Sequence, residues 1–332
     1  MKSSLLVALP LALLTSHPAT VRASPLEATT YNGQPAFRLS DGKTEAVIVP
    51  ALGRVMRYGL VGGPNMLWNA SAGKLGGGGF QNVGGDKTFI GPHASWELFA
   101  PSRWPPQPSW DGQPHSAELL PGGHLRTVGP IWQGFRARIV RDYSLNTDVE
   151  FVITSTMERM SGSGDPLALC LWNVSQSAPP DAIFLPLNSG SIYKSGFHWF
   201  GPPQDKAAIT SEGGLLRIRP TTGTYYKIGL DTPVAALVAV KDGVAWLQRA
   251  AKLDGQYPDG AEGAGFPVEL YNHGDAGSGQ YVELELLSPL RRFRAGSSWT
   301  QTVRWSLHSL PGADVNAQNV RDAVTELLNH TA

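Results

Sequence analysis

The sequence predicts an all-β domain over residues 26–312, followed by one short C-terminal helix. Three observations carry this. Segment after segment alternates apolar and polar residues with a period of two, the spacing that sends successive side chains to opposite faces of a strand. Turn signals separate these segments in a chain with 38 glycines and 26 prolines among 332 residues,. No stretch with helical spacing occurs before Asp314.

Residues 1–23 stand apart. Lys2 precedes the apolar run Leu5–Leu14, and Val21-Arg22-Ala23 offers small residues at the positions a signal peptidase reads,. The run is too short to span a bilayer. The expectation is an exported, periplasmic or secreted protein. Setting aside Lys2 and Arg22 leaves 25 of the 27 basic residues against 27 acidic ones. This balance, with no basic block, argues against nucleic acid or an anionic membrane as a partner. Cys170 is the only cysteine. It excludes an internal disulfide, and within Leu167–Trp172 it reads as a small buried apolar residue. An exported domain without disulfides must rely on its core.

Taking the chain in order, Glu45–Val49 and Gly53–Leu60 read as a hairpin broken at Pro50, with Gly62-Gly63-Pro64-Asn65 as the next turn,. The glycine-rich stretch Gly73–Gly85 leads to Asp86-Lys87-Thr88. It is no phosphate-binding loop, because Asp86 rather than glycine precedes the lysine and Pro92 stands where a helix would begin,. It reads as a long loop, either plain or lying over a site and offering Asp86, Lys87, His93 and Trp96. Trp96–Trp110 holds three tryptophans and four prolines and reads as an ordered loop. Trp104 and Trp110, with Arg103, Gln107 and Asp111 nearby, suit a sugar surface: indole stacks on the ring face and polar groups take hydroxyls. The alternative is that these tryptophans cover an apolar edge.

Phe135–Leu145 and Val149–Met157 are strands joined at Asn146–Asp148, and the apolar run Leu167–Gln176 is a central strand,. Lys227 interrupts the strand pattern at Thr224–Gly229. Strands are expected at Asp231–Val240 and Ala245–Lys252, with a turn at Tyr257-Pro258-Asp259-Gly260. Val268–Asn272 puts Glu269 and Tyr271 on one face. It should pair with Tyr281–Leu287, where Val282, Leu284 and Leu286 form a buried face and Glu283 and Glu285 point the other way,. Three carboxylates gathered there would raise a proton affinity or hold a cation. The plain alternative makes Glu283 and Glu285 surface charges on an edge strand, paired with Arg291 or Arg292. Pro289 closes that strand, and Trp299–Leu307 returns after Ala295-Gly296-Ser297. In the tail, Val320, Val324, Leu327 and Leu328 fall at helical spacing,.

Two of these stretches carry a resemblance. The run Leu284-Glu285-x-x-x-Pro289, then a glycine and a last strand, resembles the C-terminal part of aldose 1-epimerases (galactose mutarotases). The stretch Thr44–Asn69, with its strand ending in proline, glycine-marked strand and Leu67-Trp68 run, resembles their N-terminal part. The two lie in that family's order and imply a galactose-mutarotase-like β-sandwich, or supersandwich. The resemblance places Glu285 at the position of the catalytic base. It also implies a general-acid histidine directly after the asparagine that ends the central strand. Here Asn173 is followed by Val174. His198, His93 and Lys227 are the candidate replacements, each with a structural reading beside it. Tyr257-Pro-Asp-Gly, Val268-Glu-Leu-Tyr-Asn, Tyr281-Val-Glu-Leu-Glu-x-x-Ser-Pro and Gly84-Gly-Asp-Lys are also similar to a bacterial family of uncharacterised mutarotase-like proteins, over most of residues 40–308.

The resemblance implies a sugar mutarotase or epimerase. Glu285 would take the anomeric proton, with Glu283 tuning it; His198, His93 or Lys227 would protonate the ring oxygen. The alternative is a non-catalytic carbohydrate-binding protein on the same fold, and a lyase or another epimerase is a third possibility. Trp104, Trp110, Asp86, Lys87, Asn173, Glu269, Tyr271 and Tyr257 are the candidate substrate contacts. The expected partner is a mono- or oligosaccharide, with no cofactor and no resident metal.

Overall fold

The computed structural model describes residues 26–70, 80–98, 100, 103–162, 166–261, 263–277 and 279–330. The leader expected at residues 1–23, and most of the glycine-rich loop, lie outside them. The strands form two antiparallel sheets. The first runs, from edge to edge, through β1 (Leu26–Tyr31), β2 (Gln34–Ser40), β3 (Thr44–Val49), β4 (Arg54–Leu60), β5 (Gly85–Gly91), β10 (Leu167–Ser177), β19 (Tyr281–Leu287), β18 (Val268–His273), β15 (Tyr225–Leu230) and β12 (His198–Trp199), with β20 (Arg291–Phe293) pairing the start of β10. The second runs through β13 (Ile209–Glu212), β14 (Leu215–Ile218), β11 (Ala182–Pro186), β16 (Ala235–Lys241), β17 (Val244–Ala250), β21 (Ser298–Ser309), β9 (Phe151–Arg159), β8 (Ala137–Leu145), β7 (His124–Val128) and β6 (Ser116–Leu120).

The main core fills the space between the sheets. Ile48, Leu270, Val282, Leu284 and Leu286 from the first meet Tyr143, Phe151, Trp246, Val303 and Trp305 from the second. Period-two geometry then sends Glu283 and Glu285 to the outer face of the first sheet. The strand that bears them is not an edge: it is hydrogen-bonded to β10 on one side and to β18 on the other. That rules out the edge-strand alternative. The outer face is itself covered, so β19 is buried on both sides.

The helix α1 spans Gln318–Asn329 and lays Val324 and Leu328 on the outer face of the second sheet, over Phe184, Val238 and Leu247. It begins four residues beyond Asp314. There the Asp314 carboxylate accepts the Asn316 amide and closes a local turn rather than opening the helix,. Residues 85–91, expected as loop, form β5. Thr88 and Ile90 point inward and Lys87 and Phe89 outward. The two glycines before them have φ of +89° and +76°. A Cβ on Gly85 would lie 2.4 Å from the Val55 carbonyl, so the close pass of β5 by β4 requires glycine,.

Candidate functional site

The outer face of the first sheet is built in rows set by register. One row crosses Lys227, Tyr271, Glu283 and Gln176 on neighbouring strands. The next crosses Gly229, Glu269, Glu285, Val174 and Lys87. The pairing of β18 with β19 thus brings together the three carboxylates that the strand patterns predicted.

Lys227 joins them. Its Nζ lies 2.6 Å from Glu269 Oε2 and 2.9 Å from Glu285 Oε2. The indole of Trp172 donates to the same Glu285 oxygen at 2.6 Å. Lys227 also sits over two rings, 4.6 Å from the centre of Trp172 and 5.4 Å from that of Phe200,. Glu269 and Glu285 are fully buried, whereas Lys227 keeps 23 % of its side chain exposed. Glu285 is therefore within reach of Lys227 and lies beneath it, closed off from solvent.

The electrostatics follow from burial and charge count. Burial lifts the Glu269 carboxyl well above its ordinary range; Lys227 opposes this, and Glu285 and Asp259 add to it. Glu283 is raised too, first by burial, against the pull of Lys87; Gln176 donates to it at 2.9 Å. Burial would lower Lys227, but the two carboxylates outweigh it and hold the ammonium above the usual lysine range. Several strongly shifted titratable groups gathered in one place are a pattern of acid–base sites.

Aromatic rings surround the cluster. His93 packs beside Trp172, 6.4 Å between centres, and Trp104, 55 % exposed, stands beyond it. On the other flank Phe200 and His198 pack on Phe266. That phenyl ring lies where a Cβ on Gly229 would be, 2.3 Å away, so the position opposite Glu269 must be glycine. One row further along β19, Tyr225, His273 and Tyr281 follow one another across three strands, with Trp68 against Tyr281.

The expected residues divide. Glu285, Glu269, Lys227, Glu283 and Tyr271 share this face. His93 and His198 border it without bonding either carboxylate; His93 pairs instead with the Arg103 carbonyl at 2.8 Å. Lys87 points to the same face but is buried and held 3.4 Å from Asp111, which also binds Arg54. Four expected substrate contacts are corrected. Asp86 and Asn173 point between the sheets, because they alternate with Lys87 and Val174. There Asp86 pairs with Arg141 and accepts from Asn173 and Ser175 at 2.9 Å. Trp110 is buried at 5 % exposure between Trp96 and Trp132. Tyr257 is equally buried, and its hydroxyl accepts the Leu253 amide, fixing the 253–257 loop.

Trp172, Phe200, Asp259, Tyr225 and His273 were not among the expected residues. Trp172 had a usable signal, since it lies two residues before Val174 and so on the same face. Among the described residues no group of three His, Cys, Asp or Glu side chains is placed to hold a metal ion. A separate cavity lies between α1 and β13–β14, lined by Glu212, Arg217, Arg321 and Asp322, and holds none of the expected site residues.

No family profile matches the sequence, and no curated protein matches it. Solved structures do. A galactose mutarotase-like protein from Lactobacillus casei superposes with a TM-score of 0.56 at 11 % identity, over 82 % of this chain and all of the other. A galactose mutarotase related enzyme from Lactobacillus acidophilus superposes with a TM-score of 0.51 at 8 % identity, over 84 % and all of the other. The chain has the galactose mutarotase-like fold.

Proposed function

We propose that this chain is an exported carbohydrate-active protein that interconverts the anomers of an aldose, with Glu285 as the base. The observation that carries this reading is the Lys227 ammonium held 2.6 and 2.9 Å from two buried carboxylates beneath a partly exposed aromatic rim. Mutarotation needs one group to accept the anomeric hydroxyl proton and another to protonate the ring oxygen. Glu285, accepting from Lys227 and Trp172, is an acceptor fixed in place. Trp104 and Phe200 offer the apolar ring faces against which a pyranose packs. Sealing beneath Lys227 is compatible with this role, since catalytic contacts in unliganded sites commonly form only around substrate.

The second reading is a non-catalytic carbohydrate-binding protein. The full burial of Glu285 favours it, as does Val174, which directly faces Glu285 on β10 and has no proton to give. One experiment separates the two. Anomer exchange of neutral aldoses is followed by magnetisation-transfer NMR with the purified protein and its Glu285→Gln variant. Exchange above the spontaneous rate that falls at least ~100-fold in the variant supports the first reading. Binding without exchange supports the second. Neither binding nor exchange across the aldose panel removes both.

A further inference from the structure

Glu285 has two cross-strand neighbours on its own face. One is Val174; the other is Glu269. Both carboxyls are fully buried, and Lys227 is the one cation within bonding distance of either among the described residues. One positive charge cannot balance two buried carboxylates, so ionising both would leave an uncompensated charge away from water. A single proton resolves this, and the donors decide where it sits. Glu285 Oε2 accepts from both Lys227 and Trp172. Glu269 has Lys227 as its one cationic donor among the described residues, at Oε2, and its other side-chain neighbour, Asp259, is a second carboxyl.

We propose that Glu269 carries this proton at neutral pH and is the acid that works opposite Glu285. The other titratable groups facing the pair are Asp259 from the 257–260 turn, Glu283 on β19, Tyr271 on β18, whose phenol is kept protonated by burial and the carboxylates, His93 beyond Asp259, and Cys170 on β10. None of them displaces Glu269. Asp259 is solvent-exposed, and its hydrogen bond with Glu269 favours its own ionised form, which leaves the proton on Glu269,. Glu283 is tied to Gln176. His93 is bonded to a carbonyl, and burial keeps the Cys170 thiol protonated.

The donor role rests on the mutarotase reading; the position of the proton does not. In the reaction, Glu285 takes the O1 proton as the O1–H electrons become the second bond of a C1 carbonyl. The C1–ring oxygen bond breaks toward the ring oxygen, which takes the Glu269 proton. After rotation at C1 each step reverses, Glu269 recovers its proton, and the pair is restored. Lys227 bonds both carboxyls at nearly equal distance, so it faces one negative charge before and after the exchange.

Infrared spectroscopy tests the proton directly. The wild type at pH 7 is expected to show the carbonyl stretch of a buried protonated carboxyl, titrating away only well above the ordinary carboxyl range. The band should survive in Glu283→Gln and vanish in Glu269→Gln. Its absence from the wild type, or its persistence in Glu269→Gln, overturns the proposal; the wild-type titration decides even if the variant does not fold. The assignment within the pair is read from the pH profile of anomer exchange. Glu269→Gln is expected to lose ~100-fold in kcat and the alkaline limb while keeping the acidic one. Loss of the acidic limb instead reverses the assignment. A wild type that shows the band but exchanges no anomers overturns the donor role and the mutarotase reading, and leaves the proton on Glu269.

Discussion

Glu269 and Glu285 stand directly opposite each other on adjacent strands, and the ammonium of Lys227 bonds one oxygen of each. The lysine is thus the counter-charge for both. Replacing it by an apolar side chain of similar length leaves two carboxyls in a dry site with no cation. Lys227→Met is expected to lose about 3–5 kcal/mol at neutral pH, the usual scale for breaking a buried pair. The loss should shrink as pH falls, because protonation removes the buried negative charge that the lysine balances. Urea denaturation at pH 7.5 and pH 5 measures it; equal losses at both pH values would contradict the account.

The raised Glu269 carboxyl has its own signature in stability. Below its unfolded value, in the ordinary carboxyl range, both folded and unfolded chains hold the proton. Above that value only the folded chain does, so the contribution of Glu269 is lost as pH rises toward its folded value,. Glutamine cannot titrate. The Tm of Glu269→Gln should therefore rise relative to wild type between pH 5 and pH 8. A constant difference would mean that Glu269 titrates normally.

The two tryptophans of the proline-rich loop are expected to part company. Trp104 is largely exposed beside His93 and Phe80, so Trp104→Ala should weaken carbohydrate binding up to about tenfold, on the scale of ~0.5–1.5 kcal/mol for one aromatic contact, with little change in Tm. Trp110 lies in the core between Trp96 and Trp132, so Trp110→Ala should cost about 3–5 kcal/mol of stability. Calorimetry with a bound sugar and thermal melts separate these effects.

Much of the site could be read from strand alternation alone. Once Val282, Leu284 and Leu286 are assigned to the core, Glu283 and Glu285 must share the other face, and the short link to Val268–Asn272 brings Glu269 and Tyr271 alongside. Lys227 stood out as a charge in an uncharged strand. Alternation also carried the error. Asp86 was read as part of a loop over the site and Asn173 as the asparagine ending the central strand, but each sits one residue out of phase with Lys87 and Val174, and a shift of one reverses the face. Their polarity serves the inter-sheet layer, where Asp86 meets Arg141. The neighbours of Glu285 were not legible, because the pairing of β10 with both β5 and β19 joins residues 79 or more positions apart, as in Cys170 opposite Gly91. Nor did local pattern show that the face opposite the core would be roofed by Trp172, Phe200 and the 253–266 loop.

A buried histidine gives a test of opposite sign. His115 precedes β6 and packs its ring against two glycines: a Cβ on Gly53 would lie 2.5 Å from Nε2, and one on Gly129 3.1 Å. Burial first, then the charge of Arg141, pulls its pKa down from 6.5 to about 4, with Asp111 opposing. The folded protein thus keeps His115 neutral where the unfolded chain protonates it. The stability is fully present above pH 6.5 and is lost as pH falls toward 4, by about 3 kcal/mol in total. Glu269 acts in the other direction across the same window, so the wild-type curve alone cannot isolate either group. The difference between wild type and variant can. His115→Phe keeps a flat ring against the glycines, and Nδ1 has no hydrogen bond to lose among the described residues. Whatever its stability at pH 7.5, the variant should gain on the wild type steadily between pH 6.5 and pH 4.5. If the two curves run parallel there, His115 titrates normally in the folded protein and is less enclosed than its packing implies.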